Sequence, residues 1–460
     1  MKNILGGKLF WFPCAAVLLL QTAPARADPF TEALSQAYLG NPTLQAARAG
    51  QRATDELVPQ ALSGWRPTVT VDGDIQEVEG TSKSYKPTFK QSIDQTPGSV
   101  TITLSQPVFR GFATVEGTKA AKSSVRAGQQ NLLATEQNVL FTAVQAYMDV
   151  YSGRQLVALQ QENVDVLRSQ LNASNARFEV GEITRTDVAQ SRASLSQSQA
   201  ALADQQATLA ADVATYVQVI GHPPGKLRYP VIAHLPSSLE SAFAIAAEIN
   251  PNILAAAFVE DASVHGIGVE RAGLLPEISL QADASVSDDF QRNNGNYTES
   301  ATVGGVLSVP LYEAGLVYSR VREAKHLASQ RRIQIIEVAR SVRQAVAASW
   351  SAYAAYRQII AAGKDQVSAA RLALEGVMQE YSAGTRTTLD VLDAQAAVVS
   401  ARTTLVNAER NRVIAAYQLI AAIGQLTARD LRLKVPYYDP EENYRAVRGK
   451  WIGTDADVLE

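Results

Sequence analysis

Tyr381-Ser-Ala-Gly-Thr-Arg-Thr-Thr-Leu-Asp-Val-Leu-Asp393 breaks, at Gly384, a helical pattern that otherwise runs on for many turns. An earlier stretch, Phe178-Glu-Val-Gly-Glu-Ile-Thr-Arg-Thr-Asp187, is its weaker copy. Gly181 matches Gly384 and Asp187 matches Asp390, an offset of about 203 residues that points to an internal duplication. The repeat extends outward from these turns. Asn41-Pro42 and Asn250-Pro251 each divide an Ala-rich helical segment, at 30–62 and 241–274. In the first of these Thr31 is a candidate cap, and Pro42 suits the first turn of a restarted helix.

Each copy then changes to a period of two. Val69 and Val71 alternate with Thr68 and Thr70, and Ile102 and Leu104 with Thr101, Thr103 and Ser105. In the second copy Ile278, Leu280, Ala282, Ala284 and Val286 alternate with Ser279, Gln281, Asp283 and Ser285, and Val303, Leu307 and Val309 follow an Asn293-Asn294-Gly295-Asn296 loop. This alternation predicts two strands per copy. The polar residues between 79 and 99 read as an exposed connecting loop. Both hairpins end at a proline, in Ser105-Gln-Pro-Val-Phe109 and Ser308-Val-Pro-Leu-Tyr312. Two helical runs of about 69 residues follow, which at 1.5 Å per residue makes roughly 100 Å each.

These patterns divide the chain into 28–240 (strands about 66–109, long helix about 112–180, return helix about 186–220), 241–435 (strands about 275–312, long helix about 315–383, return helix about 387–423) and a tail, 436–460. The return runs are half the length of the long ones. The short helical segments make up the difference, so pairs of shorter helices stack end to end beside each long helix. The stretches 222–240 and 425–460 then fall halfway along a rod.

Met1 to Ala27 reads as a cleavable signal peptide: Lys2 and Lys8, an apolar core from Leu9 to Leu20, and Ala25-Arg26-Ala27 as the small-x-small site. Cys14, the single cysteine, precedes most of that core, so no disulfide or cysteine metal site is expected. Over 460 residues the net charge is −3 with no long basic run, which gives no nucleic-acid footprint. No later uninterrupted apolar run approaches the roughly 20 residues of a spanning helix. An exported chain can still enter a membrane through strands alternating over about 10 residues. Four strands leave edge N–H and C=O groups that lipid cannot satisfy, so membrane-spanning hairpins require oligomerisation.

The helical seams are narrow and Ala-rich, as in Leu389, Leu392, Ala396 and Val399 against Asp390, Asp393, Gln395 and Arg402. They fit a hollow wall wetted on two sides, or a solid coiled coil. Asp390 and Asp393, at i and i+3, share one helix face, and repeated around an axis they would form two acidic, cation-selecting rings. Thr387-x-x-Asp390 and Thr184-x-x-Asp187 read equally as capping boxes. Capping leaves Asp393 unexplained, since its counterpart is Gln190. Arg386 forms a local i,i+4 pair with Asp390 or reaches, with Tyr381, toward the turn at Asp187. His222, His234, His265 and His326 have no metal-ligand spacing, and no catalytic motif occurs, so neither an enzyme nor a cofactor is expected.

The duplicated layout, the Pro-Val-Phe and Pro-Leu-Tyr hairpin ends and Tyr381-Ser-Ala-Gly-Thr-Arg-Thr-x-x-Asp-Val-Leu-Asp-Ala394 resemble the TolC-type outer-membrane efflux and type I secretion channels over essentially the whole mature chain. The resemblance implies a mainly α homotrimer with a small β part. Four strands per chain would close a twelve-stranded barrel in outer-membrane lipid, continued by a long periplasmic α-helical barrel. It implies a passive exit duct working with a periplasmic adaptor (membrane fusion) protein and an inner-membrane transporter. By motif position it places Asp390 and Asp393 at the pore constriction and makes Tyr381 and Arg386 gate tethers to Thr186 and Asp187. Arg185, beside the acceptor Asp187, and Ala314, where a second glycine is common, depart from the family pattern. The competing reading is a periplasmic or surface coiled-coil scaffold with the hairpins as soluble caps. An envelope hydrolase is weaker for want of a nucleophile–base pair.

Overall fold

The computed structural model describes residues 29–456 except 86–87, 233–234 and 290–296, and it describes no side chains over 83–92 or at 289. The expected signal peptide, the Asn293–Asn296 loop and His234 lie outside the described residues. Helices α1 (Pro29–Gly40), α2 (Pro42–Asp55) and α3 (Leu57–Leu62) lead through a turn at Ser63–Trp65 into β1 (Thr68–Ile75), β2 (Val78–Tyr85), β3 (Thr88–Gln95) and β4 (Pro97–Arg110). Then come α4 (Ala113–Glu179), α5 (Arg185–Ile220), α6 (Leu239–Ile249) and α7 (Pro251–Ala272). The second copy continues with β5 (Glu277–Asp289), β6 (Tyr297–Ser308), α8 (Leu316–Ser382) and α9 (Thr388–Ala422), and α10 (Pro440–Val447) lies in the tail.

Long helices and return helices fall where their periodicity predicts, with two corrections elsewhere. First, α1 starts at Pro29, a residue suited to the first helical turn, so Thr31 lies inside the helix and is not its cap. Second, 79–99 is not a loop: β2 and β3 pair antiparallel from Val78↔Gln95 to Tyr85↔Thr88, a separate two-stranded ribbon of largely polar residues. Leu239–Ala272 holds an 18-residue stretch apolar enough by composition to cross a membrane, with mean hydropathy 1.5. It is nevertheless broken into two helices at Asn250, whose amide caps α7 by accepting from the N–H of Asn252 (2.9 Å). α6 packs on α8, and α7 lies between α4 and α8.

The main sheet has the order β1-β4-β5-β6, all antiparallel, with β1 and β6 as edges. Directly opposed residues of antiparallel strands share a face, so the register sorts the sheet into rows. Val69–Leu104–Ala282–Val303 and Val71–Ile102–Ala284–Ala301 are apolar rows. Thr70–Thr103–Asp283–Thr302 and Asp72–Thr101–Ser285–Ser300 are the polar rows between them. The apolar face is bare, with Val69 64%, Val71 66% and Val303 84% exposed. Near its helical end the sheet bulges between Pro107 and Phe109, where proline lacks an N–H to donate.

Each strand-to-helix bend uses two consecutive left-handed residues, Gly111–Phe112 (φ 57° and 69°) and Ala314–Gly315 (φ 49° and 82°). The order of glycine and side-chain residue is reversed between copies. Ala314 therefore stands in a conformation that costs a non-glycine residue roughly 1–2 kcal/mol.

The core is thin and concentrated midway along the helices. Leu140, Val144, Tyr147 and Met148 of α4 are fully buried against Leu34 and Ala37 of α1, Tyr216 of α5, Tyr417 of α9 and Leu426 just beyond α9. The second copy builds a smaller cluster from Ala242, Ala246, Val346, Leu419 and Ile423. Two equivalent joints fix this level. Asn41 donates from Nδ2 to the carbonyl of Val219 (3.0 Å), and Asn250 from Nδ2 to that of Ala422 (2.8 Å), while each caps the helix that follows.

Candidate functional site

The two helical hairpins turn at the end of α4 and α8 farthest from the sheet. Each turn needs a left-handed residue after the helix, and Gly181 and Gly384 take it at φ 80°. Nothing lies within 4 Å of the Cβ position at either glycine, so backbone conformation alone selects the residue.

Both turns start their return helix by the same chemistry. Thr184 Oγ1 accepts from the N–H of Asp187 (3.3 Å), while Asp187 Oδ2 accepts from the N–H (2.9 Å) and hydroxyl (2.7 Å) of Thr184. Thr387 and Asp390 repeat this at 3.3, 2.8 and 2.8 Å. These are capping boxes, as the spacing predicts. The Thr387 N–H and hydroxyl, helped by Arg386, hold the Asp390 carboxyl below the usual aspartate range.

Arg386 donates from Nε to Glu380 (2.7 Å) and lies 3.9 Å from Asp390, so within one chain it closes its own turn. The first turn carries a looser pair of opposite polarity, Arg177 with Glu182 at 3.9 Å. The Arg177 guanidinium also lies 4.5 Å from the ring centre of Tyr381, joining the end of α4 to the end of α8. Tyr381 completes the junction through its hydroxyl, 3.3 Å from Oγ1 of the buried Thr388. Within the chain, the bonds described for Tyr381 and Arg386 do not go to Thr186 or Asp187. Thr186 is exposed on the first turn of α5, beside the exposed Arg185. Sequence reasoning missed Glu380, Arg177 and Thr388 as members of this cluster. The Thr-x-x-Asp spacing points to Thr184.

Asp390 and Asp393 lie on one face in the first two turns of α9, Asp390 half-exposed and Asp393 exposed. α9 is set against α4 by three cross-links: Gln395 Nε2 to Asn163 Oδ1 (3.1 Å), Arg402 to Glu162 (2.8 Å), and Arg410 to Asp149. Leu392 joins Val164, Leu167 and Leu195 in a small cluster beside these links. The buried seam of α9 is Val391, Leu392, Val398 and Ala401, rotated from the expected one: Leu389 is 46% exposed and Ala396 is bare. Two carboxylates therefore stand on a braced helix, beside a leucine that the single chain leaves uncovered. Among the described residues no group of three or more His, Asp or Glu could hold a metal ion.

A sequence profile for the family described as "Outer membrane efflux protein" matches residues 33–222 and 244–425. The Outer membrane efflux protein BepC of Brucella suis biovar 1 (strain 1330) is 40% identical over 444 residues, covering 95% of this chain and 95% of that one. The Outer membrane protein TolC of Escherichia coli (strain K12) is 26% identical over 431 residues, covering 88% and 84%. Among solved structures, the Campylobacter jejuni CmeC outer membrane channel superposes with a TM-score of 0.78 at 15% identity, covering 91% of this chain and 89% of that one.

Proposed function

The chain belongs to the outer membrane efflux protein family, and on that premise we propose that three copies close into a gated duct driven by partners in the inner membrane and periplasm. The protein is an outer-membrane exit duct for efflux or secretion, with its long helices extending into the periplasm. The scaffold alternative falls with that assignment.

One observation carries the assembly: a four-stranded sheet with one apolar and one polar face and both edges unpaired among the described residues. In lipid each unpaired backbone group costs several kcal/mol. Joining β6 of one copy to β1 of the next removes both edges, and three copies supply twelve strands, above the minimum of about 8 for such barrels. The apolar rows then face lipid and the threonine, serine and aspartate rows face water. The long helices continue the wall, and the uncovered Leu389 meets a neighbouring copy.

At the far end, Asp390 and Asp393 of three copies form the constriction, two acidic rings that favour cations. Tyr381 and Arg386 hold the turns there, with Thr186 and Asp187 as the acceptors offered across the opening. Opening separates the second hairpin from its neighbours. Arg386, held by Glu380 and Asp390 within its own chain, is then already partnered in the released state. The chain catalyses nothing; a periplasmic adaptor and an inner-membrane transporter supply cargo and energy.

The direct test is membrane fractionation, electrophoresis with and without heating, and planar-bilayer recording. A heat-sensitive trimer in the outer membrane, with small cation-selective conductance, is expected. A protein extracted by buffer without detergent, running as a monomer and silent in bilayers, would refute the proposal.

A further inference from the structure

The tail does not end in the midway core. Leu426, Ala428 and Leu433 are buried there, with the Ala428 N–H donating to Glu136 (2.7 Å). The tail then follows α1 and α2 toward the sheet. The Tyr438 N–H donates to the Tyr38 hydroxyl (2.9 Å), and Arg48 lies 4.5 Å from the Tyr38 ring centre and 5.2 Å from that of Tyr438. Asn443 of α10 donates to Asp55 (2.8 Å), and Arg66 donates to the Lys450 carbonyl (2.9 Å). Tyr38, Arg48, Asp55 and Arg66 mark successive steps of this climb.

At its top the guanidinium of Arg66 lies 4.7 Å from the centre of the Trp451 ring. Arg66 is two residues before β1, and Val69 of the first apolar row is the second residue of that strand. Trp451 is 66% exposed, Ile452 89% and Trp65 43%. A tail that served only to brace the helices would turn its apolar residues toward them. Instead Trp451 is tied through Arg66 and is otherwise open, and Ile452 is almost bare. Of the basic residues that precede them, Arg445 pairs with Asp439 and Lys450 with Asp455 (3.1 Å), and Arg448 makes no ion pair among the described residues.

We propose that this tail is a membrane-surface anchor: Trp451 and Ile452 enter the boundary between headgroups and acyl chains of the phospholipid leaflet facing the periplasm, at the foot of β1. The inference rests on the outer-membrane reading, because the apolar row beginning at Val69 sets the lipid level beside Trp451. Indole is favoured at that depth, and a basic side chain such as Arg448 can lay its stem on apolar surface while reaching a headgroup phosphate. The tail thereby connects the midway core, through α10, to the membrane plane.

The test uses the full chain freed of Cys14, carrying Ile452→Cys with an environment-sensitive fluorophore. It is reconstituted without other proteins in phosphatidylethanolamine–phosphatidylglycerol vesicles. Acyl chains brominated near the headgroup are expected to quench the label, with loss of quenching by aqueous iodide. A parallel Val303→Cys label reports the lipid face of the barrel independently. Lipid quenching at 303 with only iodide quenching at 452 would overturn the anchor and leave the channel standing. Absence of lipid quenching at both positions would overturn both.

Discussion

Adjacent residues of β6 should respond oppositely to the same substitution. Val303 is 84% exposed in the apolar row with Ala282, Leu104 and Val69. Thr302 is its neighbour in the polar row, opposite Asp283. Both lie near the middle of a strand spanning Tyr297–Ser308. In the proposed barrel Val303→Lys would place an ammonium at mid-depth in lipid, a cost of about 2–4 kcal/mol per copy. Three copies bring the penalty to roughly 6–12 kcal/mol for the assembled barrel. Thr302→Lys places the same charge in the aqueous lumen near Asp283 and should change stability little. The assay is the temperature at which the trimer band disappears on electrophoresis, with outer-membrane yield beside it. Val303→Lys should lower both sharply, whereas Thr302→Lys should preserve them while weakening cation selectivity. Equal losses in the two variants, or a larger loss at Thr302, would refute the assignment of faces.

The remaining predictions concern the tip and the joints. Asp390→Ala with Asp393→Ala should raise single-channel conductance and weaken cation selectivity; an unchanged reversal potential counts against the rings. The Asp390 carboxyl lies below its unfolded value, near ~3.9, so its capping contribution is fully present above that value and is lost as pH falls through the lower folded value. Its contributions to selectivity and capping should therefore persist down to about pH 5, and loss of selectivity between pH 7 and 5 with a midpoint near 6 would contradict this. Arg386→Ser removes the bond to Glu380 and any reach across the opening, and it should enlarge the open population in bilayer recordings. If it does not, the arginine serves only its own turn. Asn41→Ala and Asn250→Ala should each cost about 1–2 kcal/mol in denaturant unfolding, because each loses a helix cap and a bond to a distant carbonyl; an effect confined to one site would break the equivalence of the copies.

The architecture was legible because it rests on periodicities that local chemistry enforces. Alternating valines and threonines read as strands, and Asn-Pro and Thr-x-x-Asp fix where helices begin. The β2–β3 ribbon was not legible, because Gly, Ser, Lys and Asp on both faces carry no apolar alternation; backbone pairing alone defines it. The seam of α9 was misplaced because Leu389 was assigned inward, whereas the single chain buries Val391 and Val398 and leaves Leu389 open. At the tip, the capping partners were readable from spacing. The Glu380–Arg386 pair was not, because its members meet only after Gly384 reverses the chain. The contact of Arg177 with Tyr381 joins the two copies, and no local pattern encodes it.

The seam between β4 and β5 sets the order in which the molecule can be built. β1 and β4 enclose only the polar ribbon, and β5 and β6 a short connection, so each of those pairs closes a modest loop. Residues paired across β4 and β5 are roughly 170–190 positions apart, and the hairpin of α4 and α5 lies between them. The sheet therefore completes only after the second copy has emerged from its translocation route. Until then β4 presents an unpaired edge, the kind of surface that recruits wrong strands. Slow delivery of the second copy lengthens the exposure of β4, while β1 and β6 remain open edges until copies of the chain join.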